Sequence, residues 1–579
     1  MKIRCENKEL NAEAGMTVMQ CLLALSVDTE GVLVAQQGGR VLELTDIVTR
    51  DGEIRLLTLR DEEGRRIYER SLRFVLLLAI RRLMPGQRVR IEYSVGGGVY
   101  LHTPGYELTA VDVAAIEAEM RAITAADLPF DKREWSLDDA IAYFEEDGQP
   151  DKVELLRRRT VPFFSMYELR PSLDVKSGAG YEASLQAMTP LVGQKPDLDG
   201  GMHEYFYGAM APSTGYVKVF GVQHLPGRGM AILTADPENP AQHAAYIDRP
   251  KHLTVFDQSA KWCAILRAQN APDIHEMLEQ RKFRAFIRVN EALHDKAIAD
   301  IAETIAGKGS RIILVAGPSS SGKTTFTGRL AIHLRVLGMN PVMISLDDYY
   351  RDRADLPVEA DGSVDLEALH TIDVPLFREH MQRLMDGENV EIPRYSFHTG
   401  SRMEKGVPLK LMPGQPVLVE GIHGLNPALV EDIDDHLIHR IFVSALTCLN
   451  LDDHNRIRTT DVRLLRRIVR DNQFRSTPPE ETLAMWPSVR RGEETWIFPH
   501  QERADSMFNT ALHYELPVLG HYAYGLLKAI PPESPHYLTA RRLVKMLNYF
   551  PDIPESVLEE VPPLSLLREF IGGCTIEKE

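Results

Sequence analysis

The sequence predicts a multidomain protein of α/β and α+β class, whose C-terminal part is a parallel sheet with helices on both faces. A length of 579 residues is enough for three or four domains of ordinary size. After residue 310, strand and helix patterns alternate, which is typical of parallel sheets with helical crossovers. A glycine-rich break follows the first strand of this alternation, where such folds bind ligands. We therefore expect the functional site at the carboxyl end of this sheet.

The glycine-rich break has the spacing G-x-x-x-x-G-K-[ST], with Gly317, Gly322, Lys323 and Thr324 at the fixed positions. The apolar strand pattern 312–316 precedes it, and a helical pattern follows. The glycines let backbone N–H groups approach phosphate oxygens, the lysine reaches the β- and γ-phosphates, and the threonine hydroxyl binds Mg²⁺. The spacing predicts a P-loop that binds a nucleoside triphosphate and Mg²⁺ through Gly317, Ser319, Ser320, Ser321, Gly322, Lys323, Thr324 and Thr325.

Composition narrows the class of protein. The hydrophobic share of 44% and the charged share of 26% are ordinary for globular proteins, and the net charge of −17 argues against a general nucleic-acid binder. The longest apolar run, residues 74–80, is too short to span a bilayer, and the N-terminus has no apolar signal region. The five cysteines form no C-x-x-C pair. We expect a cytoplasmic protein with no membrane partner, and a homo-oligomer stays an open alternative.

Residues 1–60 predict a small β-grasp domain. Short strand patterns occur at 32–34, 41–44 and 54–57, and a helical pattern runs from Thr17 to Leu25. This segment resembles a TGS domain, which is a ubiquitin-like module. No residue in it has catalytic spacing, so we interpret it as a docking or folding module.

Residues 61–285 predict an α+β domain. An apolar helical pattern at 71–83 is followed by strand patterns at 90–102 and by a second helix, for which Thr109 and Asp112 make a capping arrangement. This order, together with the segment Ala211-Pro-Ser-Thr-Gly215, resembles the second additional (editing) domain of threonyl-tRNA synthetase, which also follows a TGS domain.

The metal ligands of that editing domain are missing. The family requires an H-x-x-x-H pair and a C-x-x-x-H pair, and this chain has Arg73, Leu77, Phe206 and Met210 at the four positions. None of these side chains is an imidazole or a thiol, so we expect neither zinc binding nor editing chemistry here. The domain is interpreted as a scaffold or binding surface, and docking of the N-terminal half on tRNA or the ribosome stays an alternative.

Residues 286–579 carry four motifs in a fixed order. After the P-loop come Ser345–Arg351, the pair of segments Ile392–Phe397 and Val417–Ile422, and the arginine-rich segment Asp461–Asp471. Over residues 310–530, this order resembles the uridine kinase/phosphoribulokinase family. The resemblance implies an ATP- and Mg²⁺-dependent kinase that phosphorylates a hydroxyl of a small molecule.

Phosphoryl transfer to an alcohol requires a cation on the phosphates, a metal site and a carboxylate near the acceptor hydroxyl. Lys323 is the predicted catalytic cation. The resemblance places the catalytic aspartate at Asp347, which follows the second strand pattern and also suits a metal-orienting role. Glu420, at the end of a strand pattern, is expected to hold Mg²⁺ with Thr324 and Asp347.

Arg463, Arg466, Arg467 and Arg470 are spaced to share one face of a helix. A solvated basic face is the usual interpretation of such a run, but the preceding motifs favour a phosphate-clamping lid. We expect Arg463 and Arg466 to act in catalysis and Arg467 and Arg470 to bind the nucleotide.

Candidate acceptor contacts follow from the same resemblance. Asp365 lies where the family holds sugar hydroxyls, and Tyr395 and Phe397 are candidates for stacking a base. Uridine kinases carry a base-contacting histidine where this chain has Gly400, although His398 is two residues away. A nucleoside, uridine or cytidine first, is the expected acceptor; a sugar phosphate or another metabolite, and a regulatory ATP-binding module, stay as alternatives.

Three further segments have no assigned chemistry. Leu449–Arg458 and Trp486–Glu493 are additional to the family pattern, and they either reshape the pocket or pack against the N-terminal domains. The tail, residues 531–579, is predicted to form helices that close the kinase domain, with no site in it.

Overall fold

The computed structural model describes residues 1–159, 162–170, 201–358, 364–396 and 398–576, and it confirms the multidomain α/β class. The strands are β1 Lys2–Cys5, β2 Lys8–Asn11, β3 Val34–Gln37, β4 Arg40–Glu43, β5 Gly52–Leu57, β6 Arg90–Val95, β7 Gly98–His102, β8 Asp131–Ser136, β9 Phe163–Leu169, β10 Met202–Glu204, β11 Gly221–Leu225, β12 Gly229–Leu233, β13 Ile312–Ala316, β14 Val342–Ser345, β15 Val390–Ile392, β16 Tyr395–Ser396, β17 Ser401–Arg402, β18 Val407–Leu409, β19 Val417–Glu420, β20 Ile438–Ser444 and β21 Ser506–Asn509. The α-helices are Val18–Ala24, Glu62–Leu83, Ala110–Ala125, Leu137–Glu146, Pro150–Arg157, Pro250–Leu266, Ala271–Glu279, Phe283–Lys308, Lys323–Val336, Val374–Met385, Thr459–Phe474, Pro479–Gly492, Glu515–Lys528, Tyr537–Leu547, Glu555–Leu558 and Arg568–Ile571.

The first sixty residues form one mixed sheet with a single helix. Its strand order is β2-β1-β5-β3-β4, and the helix Val18–Ala24 covers it. Thr17 caps this helix by accepting from the N–H of Gln20, and the Gln20 amide oxygen accepts from the N–H of Thr17. The three predicted strands and the helix are present; the hairpin β1-β2 was not predicted. The TGS assignment stays a prediction.

The middle of the chain contains a three-stranded sheet, β10-β9-β8, and a four-stranded antiparallel sheet, β11-β12-β7-β6. The capping box predicted at Thr109 is present, because its hydroxyl accepts from the N–H of Asp112 at 3.2 Å and the Asp112 carboxylate accepts in return at 2.8 Å. The predicted apolar helix begins earlier than expected, at Glu62, and is buried along most of its length.

The C-terminal sheet is parallel throughout and has the order β14-β19-β13-β20-β21. Successive residues of β13 point to opposite faces: Ile312 and Leu314 pack in a core with the helix Val374–Met385, whereas Ile313 and Val315 pack with the helices Phe283–Lys308 and Lys323–Val336. Helices therefore cover both faces, as the alternation of patterns predicted.

A large apolar core lies across the predicted boundary between residues 285 and 286. It unites Phe144 and Leu156 of the middle region with Leu465 and Phe570 of the C-terminal region. The predicted domain boundaries at 60 and 285 stay predictions. Within the part of the chain that the structure describes, no helix is long and apolar enough to cross a bilayer.

Candidate active site

The P-loop closes tightly against the parallel sheet. A β-carbon on Gly317 would lie 2.0 Å from the carbonyl oxygen of Val443 in β20, so only glycine fits there. Gly322 has a φ of 86° and is the residue from which the helix Lys323–Val336 begins. These two constraints aim the N-terminus of the helix at the cavity above the sheet, where its partial positive charge favours phosphate.

Lys323 and Thr324 lie at the first turn of this helix. The Lys323 ammonium donates to the carbonyl oxygens of Gly317 at 3.0 Å and Pro318 at 3.3 Å, so it folds over the loop. The Thr324 hydroxyl donates to Glu420 Oε1 at 3.3 Å. The register of the sheet sets Glu420 beside Val315 and Ser345, which brings the carboxyl ends of β13, β14 and β19 together.

A cavity of about 1040 Å³ lies above these strand ends. Its volume is at the upper end for small-molecule sites and leaves room for two ligands. Apolar side chains such as Ile392 and Phe474 form part of its wall. Its polar lining combines predicted and unpredicted residues: Thr324, Thr325, Asp347, Asp348, Arg394, Glu420, Arg470, Arg475 and Glu569.

The pKa values of the Asp347 and Glu420 carboxyl groups are both raised. Burial, and then the charge of Asp347, raises the pKa of Glu420, while Lys323 and the Thr324 hydrogen bond lower it. The pKa of Asp347 is also raised, by burial and by Asp348, against the lowering effect of Lys323 and Arg475. Two carboxylates in one partly buried site create a local excess of negative charge.

These oxygen donors fit Mg²⁺. Two carboxylates and one hydroxyl are hard ligands, and Mg²⁺ completes its shell with water and substrate phosphates. No cluster of three acidic, histidine or cysteine side chains with metal-binding geometry occurs among the described residues. Thr324, Asp347 and Glu420 would hold the ion, and the phosphates of a bound nucleotide would supply further oxygen ligands.

The four predicted lid arginines lie on the helix Thr459–Phe474, which we call the lid helix. Arg463 and Arg466 are buried, with exposures of 1% and 0%. Arg463 pairs with both carboxylate oxygens of Glu493 and donates to the carbonyl oxygen of Ser319 at 3.1 Å. This arrangement supports the loop backbone from behind, and a direct role of Arg463 on the transferred phosphoryl group stays a prediction.

Arg466 is held in the same manner. It pairs with Glu515 and donates to the carbonyl oxygen of Thr510 at 2.9 Å, and the Thr510 hydroxyl donates to Ser321 at 2.6 Å. Its guanidinium lies 5.0 Å from the ring centroid of Phe570. Arg466 thus links the lid helix to the loop and to the tail.

The other two lid arginines are nearer to the cavity. Arg467 donates to the Ser319 hydroxyl at 2.7 Å. Arg470 lines the cavity and pairs with Asp471 at 2.9 Å. Both are within reach of the loop, and their predicted contacts with nucleotide stay predictions.

The candidate acceptor residues are only partly gathered. Tyr395 packs against Tyr350 with ring centroids 5.4 Å apart and ring planes tilted by 39°. Asp365 accepts from the N–H of Glu367 at 3.0 Å, and His398 is exposed. Asp365, Tyr395 and His398 are not among the residues that line the cavity, and Phe397 lies outside the described residues.

Two carboxylates that were not predicted contact the P-loop. Glu493 accepts from the N–H of Ser319 at 3.2 Å, and Glu569 of the tail accepts from the hydroxyl of Thr325 at 2.9 Å and from its N–H at 3.4 Å. The tail was predicted to contain no site. The contact between Thr325 and Glu569 joins residues 244 apart, and no local pattern marks it.

The segment Leu449–Arg458, here called the docking segment, packs on the middle region and so follows the second of the two predicted alternatives. Asp453 pairs with Arg90 at 2.6 Å, and Arg456 pairs with Glu69 at 3.0 Å. His454 accepts from Arg73 through its carbonyl oxygen at 2.9 Å. Arg73, which occupies one of the four ligand positions of the editing family, therefore contacts the docking segment. Leu77, Phe206 and Met210, at the other three positions, lie in an apolar core.

A P-loop lies at the carboxyl ends of a parallel sheet, its lysine is folded over the loop, and a hydroxyl and two carboxylates line the adjacent cavity. This arrangement defines the class of P-loop kinases. The model of the phosphoribulokinase/uridine kinase family matches residues 312–515. A uridine kinase of Deinococcus deserti is 32% identical over 198 residues, which cover 34% of this chain and 84% of that protein. The chain belongs to the phosphoribulokinase/uridine kinase family.

The N-terminal part of the chain has a different relative. A threonine–tRNA ligase of Carboxydothermus hydrogenoformans is 30% identical over 196 residues, which cover 34% of this chain and 26% of that protein. The N-terminal part resembles this ligase, and the chain spans about a quarter of the ligase's length. A solved structure from Bacillus stearothermophilus, described as a possible uridine kinase, is 17% identical over 37% of this chain and 98% of that chain, with a TM-score of 0.26, which is too low to carry an argument.

Proposed function

We propose that the protein transfers the γ-phosphoryl group of ATP to a hydroxyl of a small molecule, with the 5′-hydroxyl of uridine or cytidine as the first candidate. The observation that carries this proposal is the single cavity that unites Thr324, Thr325, Asp347, Glu420 and Arg470. Phosphate-binding, metal-binding and proton-accepting groups thus face the same volume. The similarity to a uridine kinase over most of that protein's length supports the nucleoside as acceptor.

In this proposal, the acceptor oxygen attacks the γ-phosphorus while the bond to the leaving oxygen of ADP breaks, and the hydroxyl proton passes to the Asp347 carboxylate. The raised pKa of Asp347 suits a proton acceptor at neutral pH. Lys323, which donates to carbonyl oxygens of the loop, exchanges them for the β- and γ-phosphates. Mg²⁺, when bound with ATP, neutralises the developing charge on the phosphate oxygens.

A sugar phosphate is the second candidate acceptor. Arg394 and Arg475 line the cavity on the side of Asp347 and Asp348, and guanidinium groups bind phosphate well. The apolar wall of Ile392, Val407 and Phe474 favours a nucleoside instead. The arginines alone therefore do not decide the acceptor.

The N-terminal half is proposed to hold the kinase region in place. Residues 1–60 are assigned as a TGS-like domain and residues 61–285 as a synthetase-like domain without editing ligands. The contacts of the docking segment support a structural role. Docking on tRNA or the ribosome is the alternative.

An acceptor panel tests the proposal. Purified full-length protein with Mg·ATP is offered uridine, cytidine, purine nucleosides and a set of sugar phosphates, and products are identified by mass spectrometry. We expect a nucleoside 5′-monophosphate that the Lys323→Met variant does not form. Transfer to sugar phosphates alone would replace the first candidate with the second, and ATP binding without transfer to any acceptor would favour the regulatory module.

A further inference from the structure

A second cavity, of about 550 Å³, shares no lining residue with the active-site cavity. Its walls come from the segment 39–46 of the N-terminal sheet, from β8 and from the helix Tyr537–Leu547 near the C-terminus. The volume is in the range of small-molecule sites. Because three parts of the chain that are distant in sequence form its walls, the cavity exists only when the whole chain is folded.

The lining of this cavity is strongly cationic although the chain carries a net charge of −17. Two carboxylates, Asp46 and Glu63, lie in its wall. The cationic lining residues, which define what we call the basic cavity, are Arg40, Lys132, Arg159, Arg541, Arg542 and Lys545.

Some of these cations already have anionic partners within the protein. Lys132 pairs with Asp46 at 3.2 Å, and Arg542 pairs with Asp461 of the lid helix at 2.6 Å. By contrast, Arg40 and Arg541 are exposed and have no carboxylate within salt-bridge distance among the described residues. The cavity therefore keeps an excess of positive charge.

Two of the lining cations are held by uncharged hydrogen-bond acceptors. Lys545 donates to the carbonyl oxygen of Tyr207 at 2.6 Å, and Arg159 donates to the hydroxyl of Tyr205 at 2.6 Å. Neutral acceptors position a cation but do not neutralise it. Both side chains are thus preorganised for an anion that the protein itself does not supply.

A buried guanidinium lies directly behind the wall. Arg70 is 5% exposed, and its Nε has no hydrogen-bond partner. It packs against Gly208, where a β-carbon would lie 2.3 Å from its central carbon. Desolvation beside the cavity wall, and then the surrounding cations, Arg70 and Arg159 first among them, lower the pKa of Lys545, which is the response expected of an ammonium that lacks a counter-anion.

We infer that the basic cavity binds a phosphate-bearing small molecule, with its phosphate between Arg159, Arg541 and Lys545. Arginine forms paired, charge-assisted hydrogen bonds with phosphate oxygens, and lysine adds a compact charge. The buried rings of Phe164 and Tyr205 provide an apolar wall for the remainder of the ligand.

Calorimetric titration with pyrophosphate tests this inference. Full-length protein is first saturated with Mg²⁺ and a non-hydrolysable ATP analogue, so that the P-loop is occupied. We expect one further equivalent of pyrophosphate to bind, with an affinity that falls steeply as salt is added. The double variant Arg541→Ser/Lys545→Met should bind it at least about tenfold more weakly.

Two controls keep the outcome decisive. Lys261→Met removes an exposed lysine of the helix Pro250–Leu266 and should leave the affinity unchanged. Arg541→Ser alone changes an exposed side chain, so it provides a folded single variant with an intermediate loss of affinity. Three results would each overturn the inference. They are no binding of pyrophosphate beside the ATP analogue, an equal affinity for pyrophosphate in wild type and double variant, and loss of pyrophosphate binding in Lys323→Met instead of the double variant.

Discussion

The active-site cavity and the docking segment use the same residue types with opposite electrostatic results. In the cavity, burial raises the pKa of both Asp347 and Glu420, neighbouring carboxylates raise it further, and cations compensate them only in part. In the contact made by the docking segment, Glu69 and Asp453 have a lowered pKa because arginines pair with them directly. The cavity therefore keeps carboxylates whose charge is only partly compensated, whereas arginines neutralise Glu69 and Asp453 in the docking contact.

This difference separates a site built to receive ligands from a contact built to hold two regions together. Buried carboxylates without a full set of counter-charges destabilise the folded protein. Binding of a metal ion with its nucleotide phosphates offsets this unfavourable free energy. Paired carboxylates gain nothing from a ligand, but loss of one partner leaves a buried charge. Substitutions in the two regions should thus affect different measured quantities.

Lys323→Met should produce the largest effect on turnover. The variant removes the cation that is placed over the phosphates, and we expect kcat/KM to fall by about 10³-fold or more. The melting temperature should stay close to that of the wild type, because the ammonium hydrogen-bonds to loop carbonyl oxygens and compensates Asp347 and Glu420 only in part. Phosphoryl transfer that persists at the wild-type rate would contradict the P-loop assignment.

Lys152→Met should produce the largest loss of stability. The Lys152 ammonium is 1% exposed and pairs with Glu204 at 2.7 Å and with Asp452 of the docking segment at 3.1 Å. Its removal leaves buried carboxylates without their cation, at an expected cost of about 3 kcal/mol or more in the free energy of unfolding. Denaturant unfolding measures the cost, and a change within error would show that the contact is not structural.

Asp347→Asn should lower kcat by about 10²-fold while the affinity for Mg·ATP changes little. The amide keeps the shape of the side chain but accepts no proton. Single-turnover kinetics separate the chemical step from binding. If ATP binding were lost and the chemical step kept its rate, Asp347 would be a nucleotide ligand instead of a base.

Glu569→Gln should increase the affinity for Mg·ATP by about fivefold. The carboxylate contacts the N–H and hydroxyl of Thr325 at the start of the P-loop helix, where incoming phosphates meet its negative charge. Glu560→Gln, which removes another tail carboxylate that pairs with Arg288, is the matched control. Weaker binding in Glu569→Gln would mean that the tail carboxylate helps the nucleotide to bind.

Glu420→Gln should stabilise the protein in buffer without added nucleotide or Mg²⁺, with a small effect that depends on pH. The pKa of Glu420 is raised above 4.5 in the folded state. The contribution of this carboxyl group to the free energy of unfolding is therefore fully present below pH 4.5 and is lost as the pH rises through the folded pKa. We expect the variant to melt about 2–4 °C above the wild type at about pH 8. The two proteins should converge near about pH 4, and an equal difference at both pH values would exclude this cause.

Local patterns predicted much of the fold and of the site. The strand β13, the P-loop and the helix Val374–Met385 were marked by apolar periodicity and glycine spacing, and Thr109 with Asp112 by a capping signature. These features depend on neighbours in the sequence. The cavity-lining Thr324, Thr325, Asp347, Glu420 and Arg470 follow from motif order in the same manner.

Contacts between distant residues were not predictable. Glu493 and Glu569 reach the P-loop from later helices, and no spacing links them to Ser319 or Thr325. The periodicity of the lid helix predicted that its arginines share one face, but not that Arg463 pairs with Glu493. Pairing across hundreds of residues is set by tertiary packing, which leaves no periodic signal in one sequence.

The most direct test compares Lys323→Met with Lys152→Met, since the substitution is the same and only its location differs. Phosphoryl transfer at about 20 °C and thermal unfolding are measured for both variants. We predict that Lys323→Met loses transfer and keeps its melting temperature, whereas Lys152→Met keeps transfer and melts lower. Loss of both properties in both variants would contradict the separation of a ligand site from a structural contact.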